Sequence, residues 1–97
     1  MKKEGTDAFQ TGNFKEAVER FSECLELDPL NIQYNSTVLF NRASAYLKQG
    51  LTKDALNDLN EALNINEEYV KALLKRAELH QLQGNFEEAV RDLEKVK

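Results

Sequence analysis

Apolar residues return along this chain at the spacing of α-helices. After Gly12, Ala17 and Phe21 lie four residues apart, and the same step follows Gly50 and Gly84. Apolar positions repeated at steps of three and four form one face of an amphipathic helix. Each glycine can adopt the left-handed backbone conformation that ends a helix. The pattern therefore predicts six helices, at 2–11, 14–27, 32–49, 52–65, 68–83 and 86–97.

One segment of the chain occurs three times. The stretch Gly-Asn-Phe-Lys-Glu-Ala-Val at 12–18 returns as Gly-Asn-Phe-Glu-Glu-Ala-Val at 84–90, with a weaker copy at 50–56. The two later copies are one interval apart, and the interval between the first two is longer by four residues, which indicates one repeat period with a single insertion. Because no capping helix follows the last copy, we expect the chain to be a fragment of a larger protein. We divide the single domain 1–97 into repeat 1 (about 1–31), an inserted turn (32–35), repeat 2 (about 36–69) and repeat 3 (about 70–97).

Composition favours the same fold class. The 97 residues include four glycines, one proline and 31% charged residues, which is typical of helices joined by short turns. We therefore predict an all-α fold. The net charge of −4 argues against a general nucleic-acid-binding protein. No apolar stretch is long enough to span a bilayer, so we expect no membrane partner.

Residues that could perform catalysis or bind metal are few. Cys24 is the single cysteine, so neither a disulfide framework nor a zinc site is expected, and its position predicts a buried thiol. His80 stands alone at a helix-packing position. Asp54, Asp58 and Glu61 have a spacing that suits solvent exposure. We expect no enzyme activity, no metal and no cofactor, and a reducing location in the cytoplasm or the nucleus.

The repeat resembles the tetratricopeptide repeat (TPR) family over essentially the whole chain. The resemblance rests on the 34-residue period, Gly5, the small residues Ala8 and Ala45, the Gly-x-aromatic-x-x-Ala turn and Leu-Asp-Pro at 27–29, where the second helix is expected to stop. It implies three helix pairs stacked into a short right-handed superhelix, an α-solenoid. In such a solenoid the first helices line a concave groove, and the second helices form the convex side.

The charge of this chain is unevenly distributed between the two sets of helices. The predicted first helices of the three pairs contain seven lysine or arginine residues against four acidic ones, whereas the rest of the chain is acidic. A positive groove would select an acidic ligand. The alternative is that these lysines only solvate an exposed helix face.

One subset of the TPR family binds the acidic C-terminus of the chaperones Hsp70 and Hsp90, Glu-Glu-Val-Asp, through a carboxylate clamp. The resemblance places this clamp on Lys2, Asn41 and Lys71, which match the motif outright. Thr6 stands where the motif has asparagine and Lys75 where it has arginine. Ammonium and amide groups can neutralise and orient the two carboxylates of a terminal aspartate. Each of the two departures is expected to cost about 1 kcal/mol of binding free energy.

Further first-helix residues are expected to contact the apolar part of such a peptide. Phe40 could pack against a valine, while a place in the core between helices is an equal alternative for Phe40 and Leu74. Arg42 and Arg76 lie about 100° around the helix from clamp positions and are expected to pair with acidic neighbours. By repeat register, the predicted groove residues are Phe9, Phe40, Ser44, Leu47, Leu74 and Gln81.

Two longer strings are similar to the TPR block of J-domain (DnaJ) co-chaperones. They are Leu-Phe-Asn-Arg-Ala-Ser-Ala-Tyr at 39–46 and Tyr-Val-Lys-Ala-Leu-Leu-Lys-Arg-Ala at 69–77. The resemblance implies a non-enzymatic, peptide-binding adaptor of a co-chaperone, with the J-domain expected outside this chain because no His-Pro-Asp occurs in it. The alternative is a structural or assembly segment of a longer TPR superhelix that binds a partner helix or another segment. An enzyme-regulating subunit is a third interpretation.

Overall fold

The computed structural model describes residues 2–27 and 30–96, with the side chains of residues 5–27 and 30–96. Every regular element in these residues is an α-helix, which confirms the all-α prediction. Asp28 and Pro29, at which the second helix was expected to stop, lie outside the described residues. In chain order the helices are α1 (Lys2–Gln10), α2 (Phe14–Leu25), α3 (Ile32–Lys48), α4 (Thr52–Ile65), α5 (Val70–Leu82) and α6 (Phe86–Lys95).

Helix α4 has the predicted bounds, and the other helices begin or end one or two residues from the predicted positions, for local reasons. Helix α2 ends at Leu25 because the next two N–H groups bond to carbonyls only three residues back, each at 3.2 Å, which tightens the last turn. Helix α5 begins at Val70 because a turn precedes it, in which the Tyr69 N–H donates to the Asn66 carbonyl at 3.2 Å. Helix α3 has 17 residues. The side chain of Asn31 caps its N-terminus, because its Oδ1 accepts a hydrogen bond from the Tyr34 N–H at 3.0 Å.

The glycine turns have the predicted left-handed conformation. Gly12, Gly50 and Gly84 follow α1, α3 and α5 with φ values of 87°, 77° and 81°. After Gly12, the N–H of Asn13 returns to the carbonyl of Ala8 at 2.8 Å, and the equivalent bonds after the other two glycines measure 2.9 and 2.7 Å. This is the Schellman arrangement, in which the chain reverses at once into the following helix. Each glycine therefore joins the two helices of one pair.

Two apolar clusters hold the pairs together. The first joins α1, α2 and α3, and the second joins α3 to α5. Because α3 belongs to both clusters, it is the central element of the stack, with the first pair on one side and the third on the other. The buried residues of the first cluster are Ala8, Ala17, Phe21, Cys24, Val38 and Ala45; those of the second are Ala43, Ala55, Leu59, Leu63, Ala72, Leu73 and Leu79.

Candidate peptide-binding groove

A cavity of about 140 Å³ opens between α1 and α3. Thr6 from α1 lines it together with Asn41 and Ser44 from α3, and the rings of Phe9 and Phe21 line its apolar part. Four predicted groove residues, two from α1 and two from α3, therefore line one small depression. Apolar walls beside a few convergent polar groups are typical of a site that holds a side chain of a ligand.

The polar groups of this cavity are available to a ligand. Among the described residues, no side chain or backbone group hydrogen-bonds to the amide of Asn41 or to the hydroxyl of Thr6. The Ser44 hydroxyl donates to the Phe40 carbonyl at 3.2 Å, one turn back in α3, which leaves its oxygen free to accept. An amide and two hydroxyls can bind a carboxylate or a peptide group.

Lys71 lies on the other side of α3. Its side chain is exposed and borders a second hollow, of about 490 Å³, together with Gln33 and Thr37 of α3. Thr37 precedes Asn41 by four residues, so both lie on one face of α3. Lys71 has no ion-pair partner among the described residues. One face of α3 thus borders both the cavity with α1, at Asn41, and the hollow that includes Lys71, at Thr37.

Lys75 follows Lys71 by one turn of α5, but the carboxylate of Glu78 would compete with a ligand for its ammonium group. Its Nζ atom lies 3.5 Å from Oε2 of Glu78, and the Lys75 side chain is only 33% exposed. Glu78 occupies the register that Ser44 has in the preceding repeat. Glu78 is not among the predicted groove residues, although its three-residue spacing from Lys75 is the signal of such a pair.

The remaining clamp position, Lys2, begins α1 one turn before Thr6. Its side chain lies outside the described residues, so its place in the clamp stays a prediction. The spacing of Lys2 and Thr6 is the same four residues that separate Lys71 from Lys75.

The predicted apolar contact residues fall into different environments. Phe40 is half-buried and packs against the second cluster, with its ring 5.7 Å from that of Tyr69. Leu47 is packed on the same cluster, whereas Leu74 is 45% exposed on α5 and Gln81 is also exposed. Of the two alternatives for these residues, Phe40 is largely in the core between helices, and Leu74 is not.

Arg42 and Arg76 pair with acidic neighbours, as expected, and are therefore not free to bind a ligand in the groove. Arg42 donates two hydrogen bonds to the Asp58 carboxylate, at 2.7 and 2.6 Å, and this raises the pKa of the arginine. Arg76 does the same with Asp92, at 2.8 and 2.6 Å. The expectation of an exposed Asp58 is wrong: the residue is 3% exposed because the guanidinium replaces its water.

These two pairs correct the predicted charge of the groove. Two of the seven cationic side chains attributed to the first helices are neutralised by carboxylates of the second helices, so the excess of positive charge is smaller than the sequence suggested. The charged residues described on the first helices, apart from these arginines, are Lys48, Lys71 and Lys75 against Asp7 and Glu78.

Other chemistry finds little support in the described part of the chain. Cys24 is a buried thiol, as predicted, and His80 packs against α6 with Nε2 3.9 Å from Oδ2 of Asp92. The hydrogen bond with Cys24 raises the pKa of Tyr34. Within residues 2–27 and 30–96, no group of three or more metal-ligating side chains is found, and no helix has the length and apolar character to cross a bilayer.

The stacked helix pairs, the glycine turns and the groove define a class: repeat proteins whose fold is a protein-interaction module. The tetratricopeptide repeat model matches residues 2–63 and 40–96, and the chain belongs to that family. It is 41% identical over 95 residues to mouse DnaJ homolog subfamily C member 7, covering 98% of this chain and 19% of the relative. The predicted likeness to a DnaJ co-chaperone's TPR block is thus confirmed, and the chain spans about a fifth of the length of the DnaJ homologues that it matches.

Two solved structures extend the comparison to ligand-bound repeats. The first TPR of Spaghetti (RPAP3), bound to the HSP90 peptide SRMEEVD, is 32% identical with a TM-score of 0.85, covering 97% of this chain and 71% of that one. The second TPR of the same protein, bound to the same peptide, is 29% identical with a TM-score of 0.84, covering 97% and 83%.

Proposed function

We propose that this chain is the non-catalytic interaction module of a co-chaperone, and that it binds the acidic Glu-Glu-Val-Asp C-terminus of Hsp70 or Hsp90 in its groove. The observation that carries the proposal is the cavity between α1 and α3, which joins Thr6 to Asn41 and Ser44. These residues come from two repeats, and all three are among the peptide-binding residues predicted from the sequence.

The chemistry of the groove suits a terminal carboxylate. Asn41 offers an amide donor, Thr6 a hydroxyl, and Lys71 an unpaired ammonium on the other side of the same α3 face. A hydrogen bond in which one partner is ionised is shorter and stronger than a neutral one. Two carboxylates of a C-terminal aspartate could therefore be held between α1 and α5, across α3, and Lys2 would add a second ammonium from α1.

The apolar surface of the cavity suits the residue next to that aspartate. Phe9 and Phe21 line the cavity beside Asn41. A branched aliphatic side chain such as valine would bury its methyl groups against these rings, at about 25 cal/mol per Å² of apolar surface removed from water. The two neighbouring structures bound to SRMEEVD support this choice of ligand.

The test is calorimetric titration with acetylated peptides that end in Ile-Glu-Glu-Val-Asp and Met-Glu-Glu-Val-Asp. We expect saturable binding that weakens with salt, disappears when the peptide C-terminus is amidated, and falls about tenfold or more in Asn41→Ala and in Lys71→Ala. Lys53→Ala removes the same charge from an exposed position on α4 and is the matched control. Binding that survives amidation, or falls equally in Lys53→Ala, would contradict the proposal.

The larger setting is part of the same proposal. Because the chain spans about a fifth of the DnaJ homologues it matches, we place it within a longer co-chaperone of the cytoplasm or nucleus, where the groove would recruit the chaperone. A cell-fractionation experiment with the full-length protein, and co-precipitation of Hsp70 or Hsp90 that is lost in Lys71→Ala, test that setting.

A further inference from the structure

The arginine–aspartate pairs belong to larger networks that cross from one helix pair to the next. Arg42 also donates from Nη1 to the hydroxyl oxygen of Ser22 on α2, at 3.0 Å. The Ser22 hydroxyl in turn donates to the Val18 carbonyl at 2.7 Å, which orients its oxygen to accept. Arg42 therefore joins three helices: α3, on which it lies, α4 through Asp58, and α2 through Ser22.

The same network returns in the third helix pair. Arg76 of α5 donates to Asp92 of α6 and, from Nη1 at 2.9 Å, to the side-chain oxygen of Asn60 on α4. Asn60 occupies the position in the second repeat that Ser22 occupies in the first. A serine and an asparagine thus have one role, which is to accept a hydrogen bond from the first helix of the next pair.

The predicted binding residue Asn41 is the immediate neighbour of Arg42 in α3. Successive residues lie about 100° apart around a helix, so Arg42 reaches the second helices while Asn41 lines the cavity with Thr6. A rotation of α3 by about 10° would move an atom about 5 Å from the helix axis by about 1 Å. Binding groups must be held to within about 0.5 Å of their productive geometry, so the rotation of α3 matters for the site.

Apolar packing defines this rotation weakly, because small side chains follow Arg42 in α3. Ala43 and Ala45 are 1% and 0% exposed and contribute single methyl groups to the two apolar clusters. Burial of apolar surface is not directional, whereas two parallel hydrogen bonds from a guanidinium to one carboxylate have a fixed geometry. The bonds of Arg42 therefore define how Asn41 is turned.

The bond to Ser22 relates the two walls of the cavity. Thr6 reaches the cavity from α1, which is joined to α2 by the turn at Gly12 and by the first apolar cluster. Asn41 reaches the cavity from α3. Because Ser22 lies on α2, its hydrogen bond with Arg42 ties α3 to the helix pair that supplies the opposite wall.

We propose that Arg42 is a positioning residue of the groove. With Ser22 and Asp58 it fixes the rotation of α3 and the spacing of the first two helix pairs, so that Asn41 and Thr6 converge on one carboxylate. Arg42 thus contributes to affinity without contacting the peptide. This inference rests on the proposed function, since it concerns the affinity for a peptide with an acidic C-terminus.

Three variants separate positioning from stability, with the dissociation constant of a Glu-Glu-Val-Asp peptide as the measurement. Ser22→Ala removes only the bond between helix pairs, and affinity should fall about threefold. Ser22→Asn supplies the acceptor that Asn60 provides in the next repeat and should retain binding. Arg42→Met combined with Asp58→Leu replaces the ion pair by an apolar pair, so the chain should fold and yet bind at least about fivefold more weakly.

The matched control removes the same two kinds of charge from a single helix. Arg20 and Glu23 pair at 3.1 Å on the exposed side of α2, and Arg20→Met combined with Glu23→Leu should leave peptide affinity unchanged. A double-mutant cycle tests the route of the effect. In the Asn41→Ala background, Ser22→Ala should cause no further loss of affinity, because it acts through Asn41.

Spin labels measure the arrangement of the helix pairs without any peptide. Gln10→Cys and Gln83→Cys place the labels on exposed positions at the ends of α1 and α5, and the native Cys24 is buried. The distribution of distances between the labels should broaden in Ser22→Ala and in the variant that lacks the Arg42–Asp58 pair. It should stay unchanged in the variant that lacks the Arg20–Glu23 pair.

Several results would overturn the positioning role. Peptide affinity that is equal in Ser22→Ala, in Arg42→Met/Asp58→Leu and in the unaltered chain would do so and leave the proposed function intact. A loss that Ser22→Asn shares, or that adds fully to the loss in Asn41→Ala, would also contradict it. If the unaltered chain binds no such peptide, the proposed function itself fails. The labels then decide alone, and an unchanged distance distribution would overturn the effect of Arg42 on the spacing.

Discussion

Arg42 and Asp58 join the two helices of the second pair through two parallel hydrogen bonds, Nε to Oδ2 at 2.7 Å and Nη2 to Oδ1 at 2.6 Å. Their side chains are 18% and 5% exposed. Both charges are therefore largely removed from water, and each depends on the other for compensation. Such a buried pair adds little net stability over an apolar pair of the same size. Its main effect is to fix how α3 lies against α4.

The first prediction concerns this compensation. Arg42→Met keeps much of the side-chain volume but leaves the Asp58 carboxylate buried without its partner, so the free energy of unfolding should fall by about 3 kcal/mol. Arg42→Met combined with Asp58→Leu removes both charges and should recover most of that loss. Urea unfolding followed by circular dichroism gives both values, and the double-mutant cycle gives the coupling between the two residues.

An exposed arginine of the same chain provides the control. Arg20 lies 3.8 Å from Glu16 and 3.1 Å from Glu23, but its side chain is 37% exposed and both partners are more so. Arg20→Met should cost less than about 1 kcal/mol. Equal losses of unfolding free energy in Arg20→Met and Arg42→Met would show that burial does not determine the strength of the Arg42–Asp58 ion pair.

Gly5 is the subject of the second prediction. A Cβ atom at this position of α1 would lie 2.6 Å from Cε1 and 2.7 Å from Cδ1 of Phe21, which is 1% exposed. Alanine gains about 1 kcal/mol over glycine inside a helix, but overpacking a closed core costs about 1–3 kcal/mol. The clash should prevail, and Gly5→Ala should lower the free energy of unfolding by about 1 kcal/mol, with about 2 kcal/mol as the upper limit.

A smaller side chain at position 21 should relieve the clash, which distinguishes it from an effect of alanine on the helix itself. In the Gly5→Ala background, Phe21→Leu should cost less stability than it does in the unaltered chain. Gly12→Ala is the matched control, because its added Cβ meets nothing within 4 Å while its φ of 87° disfavours any side chain. Phe21→Leu should therefore give no relief in the Gly12→Ala background.

The fold followed from the sequence because its determinants are local. A glycine that ends one helix and an apolar step of four that begins the next are read within a short window of sequence, and their threefold repetition supports each instance. Thus Gly50 marked the turn after α3 even though its copy of the motif is the weakest. The helix ends were less predictable. Tyr69, which the pattern places inside the fifth helix, instead donates its N–H to the Asn66 carbonyl in a turn before Val70.

The burial of Asp58 could not be predicted from α4 alone. Acidic residues at helical spacing usually face water, and the partner that removes Asp58 from water lies 16 residues earlier, on α3. A signal was nevertheless present, because arginine and aspartate return together in the next repeat as Arg76 and Asp92. Two opposite charges that repeat with the period of the fold indicate a contact, whereas a solvated face does not require their spacing to repeat.

The third prediction concerns Glu78 and follows from the proposed groove. Its carboxylate holds the Lys75 ammonium at 3.5 Å and would repel an acidic peptide. Glu78→Gln should therefore raise the affinity for a Glu-Glu-Val-Asp peptide about threefold, which corresponds to roughly 0.7 kcal/mol and lies within the range of exposed ion pairs. Asp54→Asn removes one acidic charge from an exposed position on α4 and is the control. An equal gain in Asp54→Asn would indicate a long-range effect of net charge instead.

The last prediction restores the two positions at which this chain departs from the clamp motif. Thr6 lines the cavity of about 140 Å³ that is proposed to receive the peptide. Thr6→Asn replaces its hydroxyl with an amide, which reaches further and offers both a donor and an acceptor. Lys75→Arg replaces a point charge with a planar, two-pronged donor. Each change should strengthen peptide binding about fivefold, equivalent to about 1 kcal/mol. The gains should vanish with a C-terminally amidated peptide and in the Asn41→Ala background, because all three depend on one carboxylate bound between α1 and α5. Titration of the single and double variants tests this dependence, and gains that persist with the amidated peptide would show that Thr6 and Lys75 contact some other part of the ligand.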